Sequence, residues 1–262
     1  MIEIPPQPTA ESPTVVPTDP ARPAVAPAAA PATGDITAAV RAVDRSAKVS
    51  ALVVDRTTGA EIVSLDPDRQ FRSASVVKLL IAIATLSDGA DALTRKQIAR
   101  MLSLSDDDIA SALWVREGGA ALVTKTARKL GLRATKPPAI IGRWGDVILT
   151  AHDVATVYQY ILHDLPADDR SLIVDALAAA PRSAADGFDQ YFGIPSAGVE
   201  PWAIKQGWSN STNDIVLHST GLVGRDWRYI VIVLTSHPLS VRFGTGARSV
   251  TAGMKVLAPL LR

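Results

Sequence analysis

Along residues 35–262, the hydrophobic positions follow a helical period in some segments and a two-residue period in others. The first segment has helical spacing behind Asp35, a residue type suited to capping a helix. A β-hairpin is predicted next, with strands at residues 49–55 and 61–65 joined by a glycine-containing turn. From Ser75 to Ala180 the helical period dominates, and the predicted helices are 76–88, 95–102, 109–117, 120–130, 151–162 and 167–179.

Strand-like runs return near the end of the chain and are followed by one more helical segment. The predicted strands are 202–207, 214–222 and 228–236, and the predicted final helix is 247–261. This order predicts an α/β (α+β) fold, in which the first and last helices cover one face of a five-stranded antiparallel sheet. The helical block should form an inserted lobe, with a cleft between the lobes. The predicted division is an α/β lobe of residues 35–72 and 200–262, and a helical lobe of residues 73–199.

Residues 1–34 have a different composition from the rest of the chain. Residues 1–34 contain nine of the 18 prolines, from Pro5 to Pro31, together with eight alanines and no aromatic residue. Such a tract is extended and cannot build a core, so we predict a spacer; a disordered terminus without a role is the alternative. No signal peptide precedes the tract, although its start is typical of a chain cut after one. The prediction is an extracytoplasmic protein, secreted or anchored to the cell envelope through this spacer, with lipid attachment as one route.

Composition and charge exclude several classes of function. The 27 Lys and Arg residues nearly balance the 26 Asp and Glu residues, for a net charge of +1, which gives no electrostatic reason to expect nucleic acid as a partner. No apolar run reaches the ~18 residues of a membrane span. The chain has no cysteine, and its four histidines lack the spacing of metal ligands, so we predict neither a metal site nor a cofactor.

The first motif with chemical potential is Ser75-Val76-Val77-Lys78. Residues three apart share one face of a helix, so Lys78 can reach the hydroxyl of Ser75. The apolar neighbours of Lys78 predict burial, which favours a neutral amine able to take the proton of Ser75. The alternative is a core helix whose lysine extends its ammonium group to the surface.

The second motif is Ser105-Asp106-Asp107, at the predicted start of another helix. The hydroxyl of Ser105 is suited to relaying a proton to a leaving group, and the side chain at position 107 to binding a substrate amide. The alternative is a helix N-cap, because a serine followed by three aspartates complements the positive end of the helix dipole.

The third motif is Lys205-Gln206-Gly207 on a predicted strand, followed by Trp208. The lysine is suited to binding a substrate carboxylate, and glycine permits a close approach of the substrate backbone. The N–H group of Trp208 is a candidate oxyanion donor opposite the N–H group of Ser75. The alternative is an ordinary strand end with an exposed lysine.

In this order, the three motifs resemble those of the penicillin-recognising serine enzymes, namely class A β-lactamases and penicillin-binding proteins. The similarity includes residues 101–106, the pair Gly118-Gly119 and residues 213–216, and it covers about residues 36–262. Lys-Gln-Gly-Trp at residues 205–208 and Thr-Gly-Leu-Val-Gly at residues 220–224 are also similar to secreted actinobacterial β-lactamase-like proteins. The resemblance implies a β-lactamase/transpeptidase-like fold with a reduced helical lobe. The implied ligand is a peptidoglycan stem peptide or a β-lactam-like small molecule.

The resemblance also implies a role for each motif. Ser75 would be the acylated nucleophile and Lys78 its base. Ser105 would pass a proton to the leaving nitrogen, and Lys205 would bind the substrate carboxylate. The departures fall at the substrate-binding positions: Asp107 replaces asparagine, Gln206 replaces threonine, and Trp208 replaces a small residue.

The family's deacylating glutamate has no obvious counterpart. Gly145 stands in its place, in a shortened loop, and Asp146 is the candidate substitute. We therefore expect a serine acyl-transfer hydrolase with slow deacylation. The alternatives are a weak β-lactamase and a non-catalytic envelope protein that binds a wall component or a protein. An unrelated Ser–His–Asp arrangement around His218 is a further, separate hypothesis.

Overall fold

The computed structural model describes residues 33–262, and their centre is a five-stranded antiparallel sheet. The strands are β1 (Lys48–Asp55), β2 (Ala60–Leu65), β3 (Phe71–Arg72), β4 (Ile148–Leu149), β5 (Trp202–Asn210), β6 (Ile215–Val223) and β7 (Tyr229–His237). The sheet order is β2-β1-β7-β6-β5, and β3 pairs with β4 in a separate two-stranded sheet. The sheet order places β5 at an edge. The predicted five-stranded antiparallel sheet is confirmed.

Eight α-helices belong to the described residues. They are α1 (Thr33–Val43), α2 (Lys78–Ser87), α3 (Ala92–Ser103), α4 (Asp107–Arg116), α5 (Ala120–Leu130), α6 (Ala151–His163), α7 (Ala167–Ala178) and α8 (Phe243–Leu257). None of the helices formed by residues 33–262 combines the length and the apolar character that a membrane crossing requires.

The two faces of the sheet bury two separate hydrophobic clusters. Because neighbouring residues of a strand point to opposite faces, β1 contributes to both. Val53 packs with α1 and α8 on one face, and Leu52 packs with the helices of the inserted block on the other. The first and last helices therefore share one face, as the hydrophobic pattern predicts, and the helical block covers the other.

Four predicted helix starts are wrong: the helices predicted from residues 76, 95, 109 and 247 begin at Lys78, Ala92, Asp107 and Phe243. The last helix begins at Phe243 rather than at residue 247. Gly246 does not end this helix; a Cβ there would lie 2.6 Å from Cδ2 of Leu217, so glycine is needed for the helix to pack on the sheet. The helix predicted to start at residue 76 begins at Lys78, after a 3₁₀ turn, Ala74–Val77.

The predicted spacer lies outside the described residues, apart from its last two positions. Thr33 and Gly34 belong to α1, so the folded part begins two residues before the predicted boundary at Asp35. The division into lobes at residues 73 and 200 stays a prediction.

The contact between α1 and α8 predicts a stability effect at Gly253. A Cβ there would lie 2.8 Å from Cγ2 of Val40. We expect Gly253→Leu to lower the free energy of unfolding by about 1–3 kcal/mol, because the larger side chain overpacks this contact. The replacement of glycine also raises the helix propensity by ~1 kcal/mol, which offsets only part of this loss. Urea unfolding measures it. Gly244→Leu is the control, because a Cβ at exposed Gly244 meets only Nη1 of Arg248, at 3.8 Å. Equal stability of the two variants would contradict the prediction.

Candidate active site

The 3₁₀ turn before α2 brings Ser75 and Lys78 into contact. Nζ of Lys78 donates a hydrogen bond to Oγ of Ser75 over 3.0 Å. Both residues are buried, and the lysine side chain has no exposed surface at all. Ala74, directly before Ser75, has a φ of 45°, a left-handed conformation that costs a non-glycine residue energy. Ser75 therefore sits at a strained turn, with an amine at hydrogen-bond distance from its hydroxyl.

Three further acceptor atoms surround the amine of Lys78. Nζ lies 2.6 Å from the carbonyl oxygen of Ser105, 3.1 Å from its Oγ and 2.5 Å from Oδ1 of Asp107. The ring of Trp144 covers it, with its centroid 4.9 Å from Nζ. Burial lowers the pKa of Lys78 below its ordinary value, and the carboxylate of Asp107 opposes that shift. Lys78 is therefore a buried amine held in an ion pair.

The start of α4 places Ser105 and Asp107 on either side of a capping residue. The cap is Asp106, whose Oδ1 accepts the N–H group of Ile109 over 3.1 Å. The capping alternative is thus correct for this segment, but for Asp106 and not for Ser105. The hydroxyl of Ser105 is left for the two lysines. Ser105 has a φ of 54°, a second strained position beside the site.

Lys205 reaches the same hydroxyl from the strand β5. Its Nζ donates to Oγ of Ser105 over 3.0 Å and to the carbonyl oxygen of Gln206 over 3.1 Å. Burial, and then the charge of Lys78, hold the pKa of Lys205 well below its ordinary value. The structure therefore joins Ser75, Lys78, Ser105 and Lys205 in one chain of hydrogen bonds, and the hydroxyl of Ser105 is the link between the two amines.

Gln206 does not face the cleft, contrary to its predicted role in substrate binding. Its Nε2 donates to the carbonyl oxygens of Gln190 and Phe192, over 3.0 and 2.6 Å. The reason is strand alternation: Lys205 points to the helical lobe, so its neighbour points to the opposite face of the sheet. The side chain is buried and ties β5 to the loop before it.

Gly207 has a structural reason to be glycine. A Cβ there would lie 3.1 Å from the carbonyl oxygen of Ser73 and 3.1 Å from Cγ2 of Val76. The glycine therefore permits a close approach of the turn that carries Ser75. The predicted role was different, namely a close approach of the substrate backbone.

Trp208 lines the cleft, and contacts with Phe188 and Asp186 fix the position of its side chain. Its ring stacks on Phe188, with centroids 4.7 Å apart and an interplanar angle of 18°. Its Nε1 donates to Oδ2 of Asp186 over 2.9 Å. The bulky side chain thus has a fixed position, and it narrows the cleft next to the end of β5.

The cleft beside Ser75 has a volume of about 220 Å³. Its lining includes Ser75, Asp107, Trp144, Asp146 and Trp208. A space of this size accepts a small group beside the nucleophile. Within residues 33–262, no three His, Asp or Glu side chains gather in a group able to hold a metal ion.

Asp146 lies in this cleft, but arginines hold both of its oxygens. Oδ1 accepts from Nη1 of Arg72 over 3.0 Å, and Oδ2 accepts from Nε of Arg143 over 2.5 Å. At the neighbouring Gly145, a Cβ would lie 3.8 Å from Cα of Ala74. The position that resembles the family's glutamate therefore faces the Ser75 turn and has no side chain.

His218 is not a partner of Ser75. Its Nδ1 accepts the N–H group of Thr235 over 3.2 Å, so its Nε2 donates to the carbonyl oxygen of Arg72 over 2.7 Å. Burial lowers its pKa to about 4. The imidazole is neutral and both nitrogens are occupied, so the hypothesis of a Ser–His–Asp arrangement is wrong.

Two residues that lie at the site were not predicted from the sequence. Trp144 covers the amine of Lys78, and its Nε1 donates to Oγ of Ser111 over 3.2 Å. Arg72 binds Oδ1 of Asp214 over 2.8 Å as well as Asp146, and so ties the loop with Gly145 to the start of β6. No spacing in the sequence signals either contact, because each joins segments distant along the chain.

The sheet and the inserted helical lobe that carry the Ser–Lys–Ser–Lys site are similar to those of known β-lactamases. A model of the Beta-lactamase enzyme family matches residues 32–94. A β-lactamase from Sphaerobacter thermophilus shares the fold, with a TM-score of 0.67, 18% identity, and coverage of 86% of this chain and 95% of that one. A class A β-lactamase from Mycobacterium abscessus has a TM-score of 0.65, 15% identity, and coverage of 85% and 97%. The described residues therefore have the fold of the serine β-lactamases and penicillin-binding proteins.

A much more similar sequence comes from Mycobacterium tuberculosis. The protein named "Putative lipoprotein LppW" from strain H37Rv is 35% identical over 224 residues, which cover 81% of this chain and 70% of the relative. The Mycobacterium bovis protein of the same name has the same identity and coverage. By sequence, the chain belongs to the same family as these mycobacterial proteins named LppW.

Proposed function

We propose that this protein is a serine acyl-transfer hydrolase that forms a long-lived acyl-enzyme on Ser75. The observation that carries the proposal is the 3.0 Å hydrogen bond between Nζ of Lys78 and Oγ of Ser75, with the amine fully buried. A serine hydroxyl is a weak nucleophile unless a base takes its proton, and a buried amine supplies that base when it is neutral.

Each of the four hydrogen-bonded residues then has its own role in the reaction. Oγ of Ser75 attacks the carbonyl carbon of an amide or ester while its proton passes to neutral Lys78. When the tetrahedral intermediate collapses, the hydroxyl of Ser105 gives its proton to the leaving group and recovers one from Lys78. Lys205 donates to the same hydroxyl and positions it for this transfer.

Slow deacylation follows from what surrounds Gly145. Hydrolysis of the acyl-enzyme needs a base that activates water, and Gly145 offers none. Asp146 lines the same cleft, but each of its oxygens accepts a hydrogen bond from an arginine, which orients the carboxylate away from the role of a base. We therefore favour a penicillin-binding type of reaction over an efficient β-lactamase. The ligands we propose are a peptidoglycan stem peptide and β-lactam-like molecules.

The test is covalent labelling by a fluorescent penicillin, followed by intact mass over several hours. We expect an adduct that is stable in the wild type and absent in Ser75→Ala. An adduct that decays while the antibiotic is consumed would identify a weak β-lactamase, in which Asp146 or Lys78 activates the deacylating water. Absence of any adduct, with active esters as well as penicillin, would overturn the proposal.

The ion pair between Lys78 and Asp107 favours a second candidate, a non-catalytic envelope protein. A charged lysine cannot accept the proton of Ser75, so a permanent pair would leave only a binding cleft. Binding of wall fragments that is unchanged by Ser75→Ala, without an adduct, is the result that this candidate predicts.

We propose an extracytoplasmic location, at the cell envelope. The M. tuberculosis relative is named as a lipoprotein, and the Pro/Ala-rich tract suits a spacer between an anchor and the folded part. Fractionation of cells that express the full-length protein tests this, and recovery in the cytosol alone would overturn it.

A further inference from the structure

The ion pair of the site joins a fully buried residue to an exposed one. The side chain of Lys78 has no exposed surface, whereas that of Asp107 is 65% exposed. Asp107 also lines the cleft next to Ser75. A ligand in the cleft can therefore reach the carboxylate, while the amine behind it stays out of its reach.

A charged Lys78 has more acceptors than protons. An ammonium group donates three hydrogen bonds, and four acceptor atoms lie within 3.1 Å of Nζ: one from Ser75, two from Ser105 and one from Asp107. In this state Ser75 is an acceptor, and Nζ has no lone pair to take its proton. The negative charge of Asp107 holds Lys78 in this state, so acylation requires that the charge be compensated in another way.

We propose that Asp107 is the specificity-determining residue of the site, and that it binds a protonated amine on the amide or ester substrate. The inference rests on the proposed acylation of Ser75. The incoming ammonium compensates the carboxylate, and Lys78 then releases its extra proton to water in the cleft by way of the exposed carboxylate of Asp107, whose Oδ1 lies 2.5 Å from Nζ. Neutral Lys78 takes the proton of Ser75 as Oγ bonds to the carbonyl carbon, and the leaving group departs with the proton of Ser105, which Lys78 replaces.

The charges of the cleft lining agree with a cationic ligand, because Arg143 is paired with Asp146 and the carboxylate of Asp107 remains beside Ser75. Lys205 is buried and bonded to Ser105, so it presents no free ammonium to a ligand carboxylate. Asp186 holds the indole of Trp208 on the same wall. An anionic ligand that reached Ser75 would meet the carboxylate of Asp107 first, whereas a cationic one would form an ion pair with it.

Three nitrophenyl esters of equal chain length test the inference. They are the esters of 6-aminohexanoic acid, of its N-acetyl derivative and of adipic acid, with charges of +1, 0 and −1. The nitrophenol burst and the intact mass of the acyl-enzyme measure acylation of Ser75. We expect the wild type to prefer the cationic ester over the neutral one by about tenfold, which corresponds to 1.4 kcal/mol of discrimination, and the anionic ester to react most slowly.

Asp107→Asn should remove this preference and accelerate acylation by the neutral ester, because Lys78 loses the charge that keeps it protonated. Asp108→Asn is the matched control: it removes the same charge from the next, exposed position of the same helix. Equal rates for the three esters, or the same preference in Asp107→Asn as in the wild type, would overturn the inference.

A binding measurement separates this inference from the proposed function. The probe is 6-aminohexanamide, and the signal is the fluorescence of Trp144 and Trp208 in the cleft wall. Binding that is lost in Asp107→Asn and kept in Asp108→Asn, without acylation by any ester, would leave the amine site standing and overturn the acylation of Ser75. Acylation of Ser75 without a preference for the cationic ester would support the proposed function and overturn the amine site at Asp107. Neither binding nor acylation would overturn both.

Discussion

Lys78→Met will lower the rate constant of Ser75 acylation by penicillin about 10³-fold, in the middle of the 10²–10⁴-fold range that a positioned general base contributes. Methionine has a similar length and suits the apolar surroundings of the position. The partner left behind, Asp107, is mostly exposed, so water solvates it and the fold should tolerate the change. A large kinetic loss in a well-folded variant would therefore be an effect on the base.

Intact mass at several penicillin concentrations measures the rate constant, and thermal unfolding checks the fold. Lys129→Met is the matched control, because Lys129 lies on α5 with its amine at the surface, bonded to Oγ of Ser87. Labelling of Lys78→Met at the wild-type rate would show that another group takes the proton of Ser75, and the assignment of Lys78 would then be wrong.

Gly145→Glu will accelerate hydrolysis of the acyl-enzyme by about 10²-fold, the lower end of the contribution of a general base. Gly145 does not have a positive φ, and a Cβ there would meet the Ser75 turn at ordinary contact distance. A glutamate can therefore be introduced without backbone strain, and its carboxylate would extend into the space beside the acylated serine. The variant should turn over penicillin where the wild type retains it.

The decay of the penicilloyl mass after removal of free antibiotic measures this effect. Gly145→Gln is the control: its side chain has the same size and cannot act as a base. Decay that is unchanged in Gly145→Glu, or equally faster in Gly145→Gln, would mean that the slow step is not the lack of a base at this position.

The sequence predicted most of the fold because its elements are long and have regular periods. The five strands of the main sheet and the helices of the inserted block follow from these periods. Two of the wrong helix starts fell where glycine or a short turn departs from the regular pattern, at Gly246 in α8 and at the 3₁₀ turn of Ser75. Local pattern does not show that Gly246 is packed against Leu217, because that contact joins two distant segments.

The candidate site was predicted in part for the same reason. The contact of Ser75 with Lys78 depends on three residues of spacing, and it follows from helical geometry alone. The orientation of Gln206 could also have been predicted, because alternation along β5 places it opposite Lys205 and Gly207. The ion pair between Lys78 and Asp107 could not: the two residues are 29 positions apart, and only the packing of α4 on α2 brings their side chains together.

The two left-handed residues beside the site couple backbone strain to side-chain chemistry. Ala74 and Ser105 occupy a conformation that glycine adopts at no steric cost, at about 1 kcal/mol or more for each residue. Glycine would relieve the strain at either position. At position 105, however, that change would delete the hydroxyl that both lysines bind. The most strain-free residue at position 105 is thus one that disconnects the two amines.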